Sequence, residues 1–406
     1  MAFGLLGRTL GHSFSKTIHA ALGLTDYTYY EKEPDEVADF FQDESIQGLN
    51  VTIPYKVEAL RACHQVSEIA KRIGCVNTMV RRNGRWFGSN TDYAGFQYML
   101  RRVNIDVSGK RILILGDGAT SKTVHTALSD NGAAQIVHLS RHQSPTYEEI
   151  GDYYESTDLI INTTPVGMYP HCPDSLVEID KFKNLSGVCD VVYNPLRTGL
   201  LLQAKKQGLI YTNGLPMLVA QAAYAEELFL HKTFTDTMID QVLTKLEQQL
   251  ENIVLIGMPG AGKTTIGKMV AEKLGRTFVD SDDCITDQVG SIADYIQIKG
   301  EGAFRKVEGE VIANLGKQTG LVIATGGGVV TVPANHDRLA QNGKIFYIQR
   351  ALEELDSEGR VLSQGGLERL KALEAQRAPL YEALADYRIE NQDLDKAVGA
   401  VLSHCL

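Results

Sequence analysis

Short apolar runs alternate with longer amphipathic segments along most of the chain. Residues 111–115 and 253–256 are apolar runs with the length of buried strands, and a segment with helical spacing of apolar positions follows each of them. This alternation predicts an α/β fold. Residues 233–250 place apolar side chains along one face of a predicted helix, and strand-like sequence resumes at Ile253. We therefore expect a domain boundary near residue 250.

The composition excludes several classes of protein. Of the 406 residues, 44% are hydrophobic and 22% are charged, which fits neither a disordered nor a collagen-like chain. The net charge of −10 argues against a nucleic-acid partner, because phosphate binding usually leaves a basic footprint. Without a long apolar stretch or a secretory signal pattern, we expect no membrane partner. Six scattered cysteines without a CxxC pair favour reduced thiols in the cytoplasm.

Residues 257–264 match the phosphate-binding pattern GxxxxGK[ST] in full. Its glycines let backbone N–H groups close around phosphate oxygens, while Lys263 would reach the β- and γ-phosphates and the Thr264 hydroxyl would meet Mg²⁺. A predicted strand precedes the loop and a predicted helix follows it, as this motif requires. The sequence therefore predicts a nucleoside triphosphate site here.

Segments further along the chain carry groups suited to a phosphoryl acceptor. Asp280 and Asp282 end an apolar run, so on a strand they would share one face. One could hold Mg²⁺ through water and the other could bind a substrate hydroxyl. Three consecutive glycines at residues 326–328 suggest a close approach of backbone to ligand. In order and spacing, the series GMPGAGKTT, FVDSDD, GEGAFRKVE, ATGGGVV and QRAPLYE resembles the shikimate kinases.

This resemblance covers about residues 252–406 and implies a P-loop kinase domain with a parallel sheet. It implies phosphorylation of the shikimate 3-hydroxyl by MgATP, with Asp280 and Thr264 holding Mg²⁺ and Asp282 as the candidate base. The implied shikimate-binding residues are Asp282, Arg305, Gly327 and Arg377, since two forked arginines match the geometry of a carboxylate. The implied ATP-binding residues are Gly260, Ala261, Gly262, Lys263, Thr264, Thr265 and Arg360.

The glycine turn at residues 116–118 is a weaker signal. Gly116 and Gly118 match the start of a dinucleotide-binding motif without its third glycine, and Asp117 between them is an awkward neighbour for a pyrophosphate. At the end of the next predicted strand, Ser140 and Arg141 stand where an NAD site would carry Asp or Glu. This pair suits a 2′-phosphate and therefore predicts NADP.

Seven segments of the N-terminal part together resemble the shikimate dehydrogenases, over about residues 1–250. They are residues 12–15, 48–56, 76–78, 90–92, 162–168, 190–195 and 213–221. The resemblance implies a two-lobed dehydrogenase with a Rossmann-like NADP domain, which reduces 3-dehydroshikimate to shikimate with NADPH.

The resemblance also implies roles for single residues. Lys56 would be the general acid/base, with Asp92 beside it to position it and the substrate hydroxyl. Ser13 and Ser15 would hold the substrate carboxylate through their hydroxyls. The other substrate-binding residues would be Thr52, Asn77, Asp92, Tyr193 and Gln221. The NADP-binding residues would be Gly116, Gly118, Ala119, Ser140, Arg141, Thr163 and Gly214.

The chain departs from the two family patterns at a few positions. Lys16 stands where the dehydrogenases usually have proline, and Ala119-Thr120 stands where they usually have Gly-Ala. The kinase lid, which usually carries Arg-Pro, reads Arg360-Val361 here. We expect the departures in the dehydrogenase part to affect the affinity for NADP, and the departure in the kinase lid to affect the closure of the lid.

Together the resemblances predict three folding units that carry two enzymes. Residues 1–92, completed by about residues 218–250, would form the substrate-binding lobe of the dehydrogenase. Residues 93–217 would form its NADP-binding lobe, and residues 252–406 the kinase domain. The oligomeric state is not predicted.

Two alternatives stay open at this point. One is an NAD-dependent quinate/shikimate dehydrogenase fused to the same kinase, against which Ser13, Ser140 and Arg141 speak. The other is a catalytically silent regulator that only binds the ligand. The retained catalytic candidates Lys56 and Asp282 argue against a regulator, as does the lack of a DNA-binding motif.

Overall fold

The structure, a computed structural model, describes residues 2–11, 13–141, 143–170, 172–352, 355 and 366–405. The chain so described divides into two compact units. The first comprises Met1–Met168, Asp174–Asn194 and Gln203–Lys245, and the second comprises Tyr169–Pro173, Pro195–Leu202 and Leu246–Leu406. Both units are α/β, as the sequence pattern predicts. The division into three folding units with the boundaries given above stays a prediction.

The first unit begins with a mixed sheet. Its strands are β1 (Ala2–Gly7), β2 (Tyr27–Glu31), β3 (Ile46–Val51), β4 (Gln65–Val66), β5 (Thr78–Arg82) and β6 (Arg85–Ser89). They lie in the order β2-β1-β3-β5-β6-β4. β1 pairs in parallel with β2 and β3, whereas β5 pairs antiparallel with β3 and β6. The helices of this region are α1 (Ser15–Leu22), α2 (Val37–Phe40), α3 (Lys56–Ala62), α4 (Glu68–Ile73) and α5 (Thr91–Arg102).

A tight turn explains why β5 and β6 run in opposite directions. Asn83 and Gly84 connect them, with φ of 52° and 76°. Asn-Gly is a preferred pair for a two-residue hairpin turn, because both central positions need positive φ. The alternating pattern of apolar runs does not distinguish this hairpin from strands that are joined by helices.

The second sheet of the first unit is parallel throughout. Its strands are β7 (Arg111–Leu115), β8 (Gln135–Leu139), β9 (Leu159–Asn162), β10 (Gly187–Asp190) and β11 (Ile210–Thr212). Their order is β11-β10-β9-β7-β8. β8 lies on one side of β7 and β9 on the other, so the direction in which strands are added to the sheet reverses between β7 and β9. Ligands of such sheets bind outside the carboxyl ends of the strands at this reversal. The helices along this part of the chain are α6 (Ala119–Asp130), α7 (Gly199–Lys206), α8 (Leu215–Leu230) and α9 (Asp236–Leu250), with short 3₁₀ helices at Tyr147–Tyr153 and Ile179–Lys181.

The second unit contains another parallel sheet, as predicted for a P-loop domain. Its strands are β12 (Asn252–Ile256), β13 (Phe278–Asp280), β14 (Val322–Ala324), β15 (Gly343–Gln349) and β16 (Tyr387–Glu390), in the order β13-β14-β12-β15-β16. Its helices are α10 (Lys263–Leu274), α11 (Ser281–Val289), α12 (Ile292–Lys299), α13 (Glu301–Lys317), α14 (Pro333–Ala340), α15 (Gly366–Leu384) and α16 (Leu394–Ser403), with a 3₁₀ helix at Val329–Thr331.

Burial follows the apolar runs of the sequence. Every residue of β12 and β14 is buried, as expected for parallel strands that helices cover on both faces. β7 is buried apart from its first residue. Among the residues described, no helix is long and apolar enough to cross a membrane.

The core beneath the first sheet gives a direct test of this packing. Leu49 of β3 is fully buried in the same apolar cluster as Trp86, the only tryptophan of the sequence. We expect Leu49→Ala to lower the free energy of unfolding by about 2–5 kcal/mol, because it removes buried methyl groups and leaves a cavity. Urea unfolding followed by the fluorescence of Trp86 measures this change. Val57→Ala, at a residue that is 39% exposed, is the control and should change the free energy of unfolding by less than about 0.5 kcal/mol. Equal losses would contradict the packing described.

Candidate active sites

An ion pair joins the two residues assigned to proton transfer. Lys56 Nζ donates to Asp92 Oδ2 at 2.6 Å, and each side chain is only 12% exposed. Lys56 is the first residue of α3, and Asp92 lies in the first turn of α5. The start of α5 is fixed by Asn90, whose side chain accepts a hydrogen bond from the Tyr93 N–H. Two helix starts therefore bring the pair together.

The ion pair determines the charge of Lys56. Burial by itself lowers the pKa of this ammonium group, but the charge and the hydrogen bond of Asp92 outweigh burial, and the pKa is raised above its ordinary value. Lys56 is therefore an ammonium group at neutral pH. Such a group can donate a proton to an oxygen that becomes negative during a reaction.

Two predicted substrate-binding amides meet at Thr91, the residue before Asp92. Asn77 Oδ1 accepts from the Thr91 N–H at 2.7 Å, and Asn77 Nδ2 donates to Thr91 Oγ1 at 3.1 Å. Thr91 Oγ1 also lies 3.5 Å from Gln221 Oε1. All of these side chains are buried. The sequence analysis missed Thr91, although it lies inside one of the matched segments.

The predicted carboxylate-binding serines lie next to each other. Ser13 Oγ donates to Ser15 Oγ at 3.0 Å, at the start of α1. The Tyr29 hydroxyl donates to the Ser13 carbonyl at 2.8 Å and accepts from the Lys16 N–H at 3.0 Å. Sequence reasoning missed Tyr29, because nothing along the chain links β2 to this loop.

The two remaining substrate candidates lie close to this loop and to β1. The ring of Tyr193 lies 5.5 Å from that of Phe14, and burial, with a smaller effect of Tyr29, raises the pKa of Tyr193. The Thr52 N–H donates to the carbonyl of Leu6 at the end of β1. The structure thus places Tyr193 and Thr52 beside the same part of the first unit.

The glycine turn after β7 leaves the start of α6 open. Gly116 has a φ of 110°, and a Cβ there would lie 2.9 Å from Thr163 Oγ1. Gly118 precedes α6 without a side-chain cap, and a Cβ on it would meet no atom within 4 Å. Ala119 is the first residue of the helix. Uncapped N–H groups at a helix start are suited to a phosphate, so this turn fits a dinucleotide pyrophosphate.

Three further predicted cofactor residues follow strands of the same sheet. Gly214 precedes α8, and a Cβ there would lie 2.0 Å from the Val191 carbonyl oxygen, so only glycine fits. Ser140 and Arg141 follow β8, and Ser140 Oγ donates to Asp117 Oδ2 at 2.6 Å. The carboxylate of Asp117 therefore belongs to the same site.

In the second unit, backbone carbonyls of the P-loop accept hydrogen bonds from the loop's own lysine. Lys263 is buried, and its Nζ donates to the carbonyls of Gly257 and Met258 at 2.9 Å. Gly262 has a φ of 93°, and a Cβ on it would lie 2.5 Å from the side chain of Asn391. The same Asn391 donates to the Ala261 carbonyl at 2.8 Å. Buried Ala261 thus helps to anchor the loop.

The predicted pair of magnesium ligands is in contact. Thr264 Oγ1 donates to Asp280 Oδ2 at 2.8 Å, and Asp280 Oδ1 accepts from the Asp282 N–H at 3.0 Å. A hydroxyl and a carboxylate oxygen are donors that Mg²⁺ accepts, and this ion usually keeps waters and substrate phosphate oxygens as its other ligands. The pair fits a Mg²⁺ that is shared with a nucleotide.

A cavity of about 390 Å³ opens beside the P-loop. The predicted residues that line it are Gly260, Gly262, Lys263, Thr264, Thr265, Asp280, Asp282, Arg305, Gly327 and Arg377. One wall is apolar, formed by Ile292, Ala293, Ile296 and Phe304. Glu308 and Arg350 also line it, and sequence reasoning missed both. Arg360 lies outside the described residues.

The three consecutive glycines fit among the charged groups of this cavity. A Cβ on Gly326 would lie 2.7 Å from Asp282 Oδ1, and one on Gly327 would lie 2.6 Å from Pro259 of the P-loop. A Cβ on Gly328 would lie 2.3 Å from the guanidinium of Arg305. Each glycine therefore makes room for a different part of the site.

The two predicted carboxylate-binding arginines are held in different ways. Arg305 donates to Glu308 at 2.9 and 3.1 Å and to Glu301 at 2.9 Å. Arg377 is 5% exposed and donates to the Gly327 carbonyl at 3.2 Å. Its buried Nε has no hydrogen-bond partner among the described residues. A guanidinium with a donor to spare fits an anionic ligand in the cavity.

This architecture defines a class: an NADP-dependent oxidoreductase unit followed by a P-loop phosphotransferase unit. Two family models match the chain. The shikimate dehydrogenase substrate binding domain matches residues 5–79, and shikimate kinase matches residues 259–405. The chain belongs to the shikimate dehydrogenase family and carries a shikimate kinase domain in its C-terminal part. Both resemblances drawn from the sequence are confirmed.

Single relatives agree with this assignment. The NADP-dependent shikimate dehydrogenase of Clostridium perfringens is 36% identical over 247 residues, which are 56% of this chain and 91% of that protein. A chorismate mutase/shikimate 5-dehydrogenase fusion protein from Clostridium acetobutylicum has a TM-score of 0.58 at 34% identity, covering 61% of this chain and 97% of that chain. Shikimate 5-dehydrogenase from Thermus thermophilus, solved with NADP(H) and shikimate, has a TM-score of 0.55 at 29% identity, covering 60% and 99%.

The glycine next to Arg305 provides a test of the kinase site. Gly328→Ala pushes a Cβ against the movable end of the Arg305 side chain, so we expect the fold to survive and the guanidinium to shift. The KM for shikimate in phosphorylation should rise at least about tenfold, because small misplacements of a binding group are costly. Gly302→Ala is the control, since a Cβ there meets no atom within 4 Å. Equal KM values for the two variants would contradict the described site.

Proposed function

We propose that this chain catalyses two consecutive reactions of the shikimate pathway. The first unit reduces 3-dehydroshikimate to shikimate with NADPH, and the second phosphorylates the 3-hydroxyl of shikimate with MgATP. The main support is that each candidate for proton transfer lies beside groups that fit its role. Lys56 is paired with Asp92, and Asp282 faces the same cavity as Lys263 of the P-loop. The family assignment supports both activities.

In the first unit, the side chains hold the substrate and supply a proton. When bound, NADPH supplies a hydride to the ring carbonyl carbon. Lys56 Nζ gives the carbonyl oxygen its proton, and Asp92 keeps Lys56 charged and oriented. The hydroxyls of Ser13 and Ser15 hold the substrate carboxylate. Thr52, Asn77, Tyr193 and Gln221 bind the remaining polar groups.

The cofactor residues belong to the same proposal. The pyrophosphate binds at the open start of α6, with Gly116, Gly118 and Ala119 around it. Arg141 attracts the 2′-phosphate. Thr163 and Gly214 lie on the nicotinamide side, where a larger residue at position 214 would meet the backbone of Val191.

In the second unit, the side chains position both substrates and stabilise charge, which is most of what phosphoryl transfer requires. Backbone N–H groups of residues 260–265 and Lys263 hold the ATP phosphates. Thr264 and Asp280 hold Mg²⁺. Asp282 binds the 3-hydroxyl of shikimate and accepts its proton. Arg305 and Arg377 hold the shikimate carboxylate, with Gly327 beside the ring, and Arg360 contacts ATP.

The proposal also covers the location of the enzyme, its partners and its domain boundaries. We place the enzyme in the cytoplasm, a location that its six free thiols support. Shikimate and 3-dehydroshikimate are the small-molecule partners. That neither nucleic acid nor membrane takes part stays a prediction. The division into a substrate lobe, an NADP lobe and a kinase domain is proposed with the boundaries given under Sequence analysis.

Two variants separate the proposed reactions. Lys56→Ala should slow the oxidation of NADPH by 3-dehydroshikimate by about 10²–10⁴-fold, the usual contribution of a general acid. Phosphorylation of added shikimate should be unchanged. Asp282→Asn should slow phosphorylation over a similar range and leave reduction unchanged. NADPH absorbance and mass spectrometry of shikimate 3-phosphate follow the two rates. If either variant slowed both reactions equally, the two-site proposal would be wrong.

The pH dependence of reduction tests the ion pair. Reduction needs the Lys56 ammonium group, so its rate falls as the pH rises through the pKa of Lys56. Asp92 raises this pKa against the effect of burial, so Asp92→Asn should lower it. The alkaline fall of the reduction rate should then begin at lower pH in Asp92→Asn than in the wild type. A fall at the same or higher pH would contradict the assigned role of Asp92.

A further inference from the structure

A carboxylate lies in the proposed cofactor site at a position that NADP does not explain. Asp117 stands between Gly116 and Gly118, in the turn from β7 to α6. Its Oδ2 accepts a hydrogen bond of 2.6 Å from Ser140 Oγ. β7 and β8 are paired in parallel, with Leu115 opposite Leu139. The turn after β7 and the residues after β8 therefore meet at the carboxyl edge of the sheet.

This edge is where a dinucleotide-binding fold distinguishes its two cofactors. A carboxylate after the second strand accepts a hydrogen bond from the ribose 2′-hydroxyl of NAD, whereas an arginine accommodates the 2′-phosphate of NADP. In this chain Arg141 follows β8, and no Asp or Glu stands beside it. Asp117 supplies the carboxylate instead, from the neighbouring glycine turn. One site thus contains the group typical of each cofactor.

Tyr147 provides separate support that these two charges share one site. It begins the short 3₁₀ helix at Tyr147–Tyr153. Burial raises its pKa, the negative charge of Asp117 raises it further, and the positive charge of Arg141 lowers it. Asp117 and Arg141 therefore both act on the same phenol group.

Asp117 affects the two cofactors in opposite ways. The Ser140 hydroxyl has one proton, and the hydrogen bond to Asp117 uses it, so this hydroxyl cannot at the same time donate to a phosphate. A 2′-phosphate beside Asp117 also meets a charge of its own sign. The 2′-hydroxyl of NADH carries no charge and can donate a hydrogen bond to the carboxylate.

We propose that Asp117 is a specificity-determining residue of the dehydrogenase, which weakens NADPH binding and favours NADH, so that the chain uses both nucleotides. The proposal rests on the reductase activity given under Proposed function. Asp117 opposes Arg141, and the balance of these two residues sets the preference.

Binding measurements on the full chain test this role separately from catalysis. Isothermal titration calorimetry gives dissociation constants for NADPH and NADH with the wild type and with Asp117→Asn. The asparagine keeps an acceptor for Ser140 and removes only the charge. We expect it to tighten NADPH binding at least about tenfold, or ~1.4 kcal/mol, and to leave NADH binding unchanged or weaker. Arg141→Ala should weaken NADPH binding and leave NADH binding nearly unchanged.

Asp180→Asn is the matched control, because it removes one exposed carboxylate elsewhere in the same unit. If Asp180→Asn tightened NADPH binding as much as Asp117→Asn, the effect would come from net charge alone, and the proposal would be wrong. An unchanged NADPH dissociation constant in Asp117→Asn, or a wild type that binds NADPH alone, would also overturn the proposal. If 3-dehydroshikimate oxidises neither nucleotide on the wild-type chain, the proposed reductase activity itself fails. If 3-dehydroshikimate oxidises NADPH but Asp117→Asn leaves the ratio of the NADPH and NADH dissociation constants unchanged, Asp117 does not determine specificity, although the reductase activity stands.

Discussion

Both sites depend on backbone that comes closer to its surroundings than any side chain would allow. A Cβ at Gly214 would collide with the Val191 carbonyl, and one at Gly257 would lie 2.3 Å from the carbonyl oxygen of Ile348. Gly326–Gly328 stand against the P-loop and the charged groups of the kinase cavity in the same way. These glycines lie where strands of parallel sheets end, which is where such folds bind ligands. The proposed substrates and nucleotides are all anions and the chain has a net charge of −10, so their binding must rest on backbone N–H groups and a few local cations.

Each unit also pairs a cation of its proposed site with a carboxylate. Asp92 holds Lys56 in the first unit, and Glu308 holds Arg305 in the second. A buried cation without a partner would be costly, and a long side chain without a partner would not keep one orientation. The pairing fixes the position of the cation and preserves its charge. In the glycine turn after β7, a carboxylate likewise holds a neighbouring side chain: Asp117 accepts a hydrogen bond from the hydroxyl of Ser140, the residue before Arg141.

The sequence could predict what local pattern and spacing determine. Apolar runs at strand length predicted the α/β architecture, and the contiguous P-loop motif predicted a strand, a loop and a helix that the structure shows. It could not place groups that only tertiary packing brings together. Tyr29 reaches the serine loop from β2, and Arg350 reaches the kinase cavity from the end of β15. The segments 169–173 and 195–202 belong to the second unit although they precede the predicted boundary. The Asn83-Gly84 pair is itself a local signal for a hairpin, but a prediction based only on the alternation of apolar runs does not take it into account.

Isotope transfer tests directly whether one chain carries a substrate through both reactions. The purified chain is supplied with 3-dehydroshikimate, MgATP and NADPH that carries deuterium at its transferable position, and the products are weighed by mass spectrometry. We expect shikimate 3-phosphate that is one mass unit heavier than the product made with ordinary NADPH. Shikimate that gains deuterium but no phosphate, or 3-dehydroshikimate that stays unchanged, would contradict the proposal of two consecutive reactions.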